Sequence, residues 1–261
     1  MKIWQKNVDK KPDWHIWGTG QSWWKKTYSD KVLNWCDSDN ESRFKFNMKT
    51  HKNKMEKLGW TRSSITYSFN TQSFRSDSFR KKCSILFNGC SQTMGTGLPL
   101  EKTWTGQVAN HYGVNYHNIA IAGSDWNTIA QRSVHWLPKL KPKVHIIKAP
   151  PTTRFNWWRD QELLGSSNMS QQELMKNKIA VDLTTLGANY EWFRYSAMTV
   201  IETMCKDLDI KLLYVPMGRI HKLNTDDLAR DLVHWGCIEN NHLADWVIEK
   251  MKERKYENFI N

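Results

Sequence analysis

From Cys83 onward the chain alternates short, nearly all-apolar runs with longer segments whose apolar residues recur at helical spacing. CSILFNG (83–89), VNYHNIAIAG (114–123), KVHIIKAPP (143–151) and KLLYVPM (211–217) read as strands. Between and after them, LEKTWTGQVANHYG (100–113), SDWNTIAQRSVHWLPKL (124–140), a long stretch over roughly 170–207 and NHLADWVIEKMKERK (241–255) read as helices. Gly113 is placed to end the first helix, Ser124 or Asp125 to cap the second, and Gly187 to interrupt the third. Strands apolar at every position must be covered on both faces. The expected fold is therefore α/β, a three-layer α/β/α arrangement around a mostly parallel central sheet of about five strands.

The first 80 residues have a different texture. CDSDNESR (36–43) and MKTHKNKMEK (48–57) are polar, and aliphatic residues are too sparse for a separate core. The alternation of Ile65, Tyr67 and Phe69 predicts one short strand. We divide the chain into an aromatic, basic extension (1–80) that packs on an α/β domain (81–261).

Composition removes several classes. No apolar run is long enough to span a bilayer, and the N-terminus lacks the apolar centre of a signal peptide. The 5 cysteines are scattered without a CxxC pair, which argues against a disulfide framework or a zinc site and for a reducing compartment. The expectation is a cytoplasmic protein without membrane partners. The net charge of +12 is spread over short groups such as Lys49 to Lys57 and Lys139 to Lys143, with no nucleic-acid-binding motif beside them. That pattern reads as a solvated basic face rather than a specific nucleic-acid surface.

In parallel sheets the working site lies at the carboxyl ends of the strands. Ser91, Gly123 and the Pro150–Arg154 turn all fall there. Ser91 follows a strand and sits among Gly89, Gly95 and Gly97, the setting of a side-chain oxygen held out on a tight turn. A serine nucleophile needs a base, and the base needs a partner that fixes its tautomer. Asp231 and His234, in the DLVH stretch ahead of the last helix, are spaced so that one loop presents both. Trp126, Trp157, Trp158 and Trp235 stand beside these blocks, and tryptophan rings stack on the apolar faces of sugars. Cys90 reads as a small buried residue, and Asp209, Asp226 and Asp227 as solvated carboxylates.

These stretches resemble the SGNH (GDSL-like) hydrolases, and among them the divergent members of phage genomes. Asn88–Gly95 resembles the first family block and Asn118–Ser124 the second, while Asp231–His234 matches the last. FNTQSFRSDSF (69–79) resembles a segment that leads into the first block in phage-type members. The resemblance covers about 65–250 and implies a flavodoxin-like sheet. It further implies Ser91 as nucleophile, His234 as base, Asp231 as its orienting acid and the Gly123 N–H as an oxyanion donor. The asparagine that completes the family's oxyanion hole is missing at its expected turn. Thr152, Thr153, Arg154 or Asn127 are the alternative donors, with Trp126 and Trp235 lining the substrate site. The implied activity is a cofactor-free, metal-free serine esterase removing an O-acyl group, O-acetyl first, from a carbohydrate or similar small ester. Delivery of the acyl group to a sugar hydroxyl would make it an O-acyltransferase. The alternative is a catalytically weak or inactive phage structural or adsorption protein, virion-associated, that binds glycan or another virion component on the same fold.

Overall fold

The structure, a computed structural model, describes residues 28–151, 155–159, 162–167, 187–218 and 226–260. Strands β3 (Ile85–Asn88), β4 (Tyr116–Asn118), β5 (Val144–Lys148) and β8 (Lys211–Val215) form one parallel sheet in the order β4-β3-β5-β8. This central sheet has four strands among the described residues, rather than the five or so expected. The first strand of this sheet, β3, lies between its second and third, β4 and β5, so successive strands are added on opposite sides of it. Where strand order reverses in this way, an α/β sheet offers its binding crevice beyond the strand ends, here those of β3 and β5.

Alternation along the strands explains the layers. Ile85, Phe87, Val144, Ile146, Leu213 and Val215 pack with Trp104 and Val108 of α4 (Trp104–Tyr112) and with Leu243 and Val247 of α7 (Cys237–Glu253). Leu86 and Ile147 point the other way. They join Ile129 and Leu137 of α5 (Trp126–Leu140) and Ile201 and Met204 of α6 (Gly187–Asp207). Period-two side chains thus cover both sheet faces with helices.

Local chemistry sets the ends. Gly113 closes α4 in the left-handed conformation (φ 62°), and Asp125 opens α5 through a capping box with Thr128. β4 stops at Asn118, although the apolar run continues to Ala122. The Asn118 side chain accepts from Ala120 N (3.0 Å) and donates to Thr93 O (2.7 Å), a local bonding pattern that competes with the ladder. Of the long third helix, the part over Gly187–Asp207 is described, and 170–186 lies outside the described residues. An antiparallel hairpin, β6 (Phe155–Arg159) with β7 (Glu162–Ser167), was not anticipated.

Ahead of the sheet, β1 (Val32–Leu33) pairs with β2 (Tyr67–Ser68), the short strand expected around Tyr67. Between them lie α1 (Glu41–Thr50) and α2 (Lys52–Lys57). Met55, Trp60, Ile65, Tyr67, Phe69 and Phe74 are buried in the same apolar cluster as Leu86 and Ile129. Buried cations add to this seam. Arg75 donates to Gly95 O (2.6 Å) and Leu98 O (2.8 Å), and Arg230 pairs with Asp39 (2.7 Å) with both side chains out of water. Part of the basic composition is therefore internal, not a solvated face.

Candidate active site

β3 delivers Asn88 and Gly89 to the crevice, and the next turn is α3 (Ser91–Met94), a single helical turn closed by Gly95 at φ 83°. Ser91 heads that turn. Its backbone N–H is among the donors a helix start leaves without an intrahelical partner. Ser91 is buried to 6 % exposure, next to buried Cys90.

The second half of the site comes from the loop before α7. Leu228 and Trp235 bridge, Ala229 N donates to His234 O (2.9 Å), and Leu232 takes a left-handed φ of 55°. Asp231 sits inside this small hairpin, and its Oδ1 accepts from the N–H groups of Val233 and His234, both at 3.0 Å. The loop is pinned at its base because Asp227 accepts from Glu239 N at 2.8 Å. Asp227 is thus a buried structural carboxylate, not the solvated one expected; Asp226 and Asp209 are exposed.

The two halves meet. His234 Nε2 lies 2.7 Å from Ser91 Oγ, and His234 Nδ1 lies 2.6 Å from Asp231 Oδ2. An ionised carboxylate can only accept, so Nδ1 carries the imidazole proton and Nε2 is left to accept from the serine hydroxyl. Burial alone would raise the Asp231 carboxyl. The hydrogen bond and charge of His234, a hydrogen bond from Ser38 and the His234 backbone N–H outweigh it and hold the group down at about 2. Asp231 is accordingly ionised at neutral pH, and the His234 side chain keeps 14 % of its surface open.

The remaining candidates divide. Gly123, at φ 79°, lies in the loop between β4 and α5, and Asn127 is half-buried in the first turn of α5. Trp126 is a core residue instead of a cleft ring: it is buried and packs edge-on against Tyr214. Trp235 is partly buried beside His234, with Lys148 Nζ 4.7 Å from its ring centroid. Thr152, Thr153 and Arg154 lie outside the described residues, as do the side chains of Trp157 and Trp158.

Several residues around the site escaped sequence reasoning. Arg132, fully buried on α5, donates to Asn88 Oδ1 (3.1 Å), Gly89 O (3.1 Å) and Ser124 Oγ (2.7 Å). It therefore ties the loop that carries Ser91 to the one that carries Gly123, while burial lowers it to about 9. Lys148, 1 % exposed at the end of β5, donates to Pro216 O (2.8 Å), and burial lowers it to about 8. Ser38 donates to Asp231 Oδ2 at 2.6 Å, and Asn47 donates to the Asp231 carbonyl at 3.2 Å. Bonds to backbone carbonyls have no sequence signature, which is why the arginines stayed hidden. Among the described residues no cluster of His, Cys, Asp or Glu is arranged to hold a metal ion, and no helix is long and apolar enough to cross a membrane.

No protein-family model and no curated protein matches this chain. Solved structures similar to it include the psychrotrophic esterase EstA from Pseudoalteromonas sp., at 13 % identity and TM-score 0.37 over 65 % of this chain and 96 % of that one. The acetyl xylan esterase Est2A from Butyrivibrio proteoclasticus aligns at 12 % identity and TM-score 0.37 over 67 % and 64 %. A family 3 carbohydrate esterase from Clostridium thermocellum aligns at 14 % identity and TM-score 0.36 over 66 % and 96 %. At identities and TM-scores this low the likeness fixes neither reaction nor substrate.

Proposed function

We propose that this chain is an SGNH-like serine esterase that removes an O-acyl group, O-acetyl first, from a carbohydrate or similar small ester. The observation that carries the reading is the unbroken relay from Ser91 Oγ through His234 to Asp231, at 2.7 and 2.6 Å. Hydrogen-bond reach between nucleophile and base, with the base oriented by a third group, is the geometric requirement for nucleophilic acyl transfer.

In this mechanism Ser91 Oγ attacks the acyl carbon as its proton passes to His234 Nε2. The carbonyl π pair moves onto oxygen, where the N–H groups of Ser91 and Gly123 receive it, with Asn127, Thr152, Thr153 or Arg154 as the further donor. Preorganised donors of this kind are each worth about 10²–10³ in rate. Collapse breaks the bond to the leaving oxygen, which takes the proton from His234. Water, deprotonated by His234 in turn, releases the acyl group and restores Ser91. Asp231 stays ionised throughout and stabilises the imidazolium. Trp235 supplies the aromatic surface beside the base for a sugar ring; Trp126, being buried, does not.

The wild-type protein should hydrolyse p-nitrophenyl acetate and take up a fluorophosphonate label, and Ser91→Ala should lose both while keeping its melting temperature. A folded protein that neither labels nor turns over would instead be a binding module on this fold.

A further inference from the structure

Asp231 Oδ2 receives two donors, not one. His234 Nδ1 approaches at 2.6 Å, and so does Ser38 Oγ, from a segment far away in the chain. Ser38 Oγ also lies 3.4 Å from His234 Nδ1, but that nitrogen already carries a proton toward the carboxylate. The single hydroxyl proton of Ser38 therefore goes to Asp231. With the two backbone N–H groups on Oδ1, all the strong acceptor directions of the carboxylate are occupied.

The segment that holds Ser38 is built rigidly. Cys36 and Asp39 exchange backbone hydrogen bonds (2.9 and 3.1 Å) around a tight turn, with Asp37 in the left-handed region at φ 59°. Asp39, the next residue, makes the buried ion pair with Arg230, the residue before Asp231. The dipeptide Ser38–Asp39 thus grips the dipeptide Arg230–Asp231, residue against residue. Asn47 on α1 adds a third tie through the Asp231 carbonyl.

We infer that Ser38 is a positioning residue of the proposed esterase, a fourth member of the relay that fixes the Asp231 carboxylate and limits its pull on the imidazole. This rests on the reading of Ser91, His234 and Asp231 given above. A carboxylate oxygen that must satisfy two donors is divided between them, so Ser38 shares the Asp231 oxygen that holds the imidazole and restricts its orientation. The charged groups nearby are Asp231 itself, the Asp39–Arg230 pair on the facing turn, and Lys148 of β5 over the adjacent Trp235.

The test compares wild type, Ser38→Ala and Ser38→Thr in the full-length chain, each checked for an unchanged melting curve. Ser38→Ala should lower kcat on p-nitrophenyl acetate about tenfold with little change in KM. It should also move the acid limb of kcat/KM upward, because the imidazolium gains the undivided carboxylate. Ser38→Thr, which keeps the hydroxyl, should restore both. An imidazole titration of His234 followed by NMR reads the same upward shift without requiring turnover. Unchanged kcat and titration in Ser38→Ala, or a Ser38→Thr variant as impaired as the alanine, overturns the role of Ser38. A wild-type protein with neither turnover nor fluorophosphonate labelling overturns the esterase reading instead, and the NMR comparison still decides whether Ser38 tunes His234.

Discussion

Gly97 is where the two halves of the candidate site touch, and one missing methyl allows it. Its φ is 78°, and a Cβ there would come within 2.8 Å of Ala229 Cβ and 3.3 Å of Asp231 Oδ1. Its carbonyl accepts from Arg230 N at 3.0 Å, so the turn after Ser91 and the loop that carries Asp231 lie backbone to backbone. Gly97→Ala would strain a left-handed position and push the acid loop away from the serine. Displacement of about 1 Å at reacting groups can cost 10²-fold. The variant should therefore fold yet lose roughly 10² in kcat on p-nitrophenyl acetate, measured beside its melting curve. That Ser91, Asp231 and His234 would meet was legible in the sequence because a hydroxyl, an imidazole and a carboxylate, the parts of the proposed relay, stand at distinctive spacings. Gly97 was legible as a turn residue, but the loop that approaches it was not. Ser38 had no signal: a serine in a polar loop looks like any other until the fold brings Asp231 to it.

At the scale of elements, the sheet strands and the caps of α4 and α5 could be read because apolar runs and Asp or Gly caps are local signals. The limits were equally physical. Asn118 ended β4 early through its own side chain, and the β6–β7 hairpin lacks the clean apolar alternation that would have announced it. The polar texture of 28–80 concealed how that stretch is held, by buried pairs that span most of the chain. Arg230 donates to both Asp39 oxygens, to Arg62 O (2.9 Å) and to Asn34 O (2.6 Å), and it stacks 4.1 Å over Trp35. Removing one member of a buried ion pair leaves an uncompensated charge and typically costs about 3–5 kcal/mol. Arg230→Met should destabilise the protein by that order in urea unfolding, as should Asp39→Leu. The double variant should recover part of the loss, because neither charge is then buried alone, although the Tyr67 hydroxyl that donates to Asp39 and the Arg62 and Asn34 carbonyls lose their partners. Additive losses would mean that the pair is not the element that joins the turn to the acid loop.

The whole molecule has several groups whose protonation opposes folding at low pH, and they act in one direction. His145, fully buried on β5, has Nδ1 3.0 Å from Leu86 O and Nε2 3.0 Å from Ser133 Oγ. A carbonyl can only accept, so Nδ1 donates to Leu86 O, while Nε2 faces the Ser133 hydroxyl, which also donates to Ile129 O (3.0 Å). Burial pushes it from 6.5 down to about 4, against the opposing pull of the Leu86 carbonyl. Between those values the unfolded chain binds a proton that the folded protein refuses. Stability is therefore complete above pH 6.5 and falls as the pH drops toward 4. For this group the loss is on the order of 3 kcal/mol, and His117, also lowered by burial, adds to it. Asp231 produces a second stage. Held at about 2 against an ordinary 3.8, it contributes stability above 3.8 that disappears as the pH falls through 2. Urea midpoints measured from pH 8 to pH 3 should stay level to about 6.5 and then decline, with the steeper loss beginning before the carboxylates titrate. His145→Gln, which has no proton to gain, should lessen the decline between 6.5 and 4 and leave the lower stage intact. A midpoint that holds level down to pH 4 in wild type would show that the imidazole is charged inside the sheet or that the sheet admits water beside it. Either result would contradict the dry packing around β3 and β5 on which the placement of Ser91 depends.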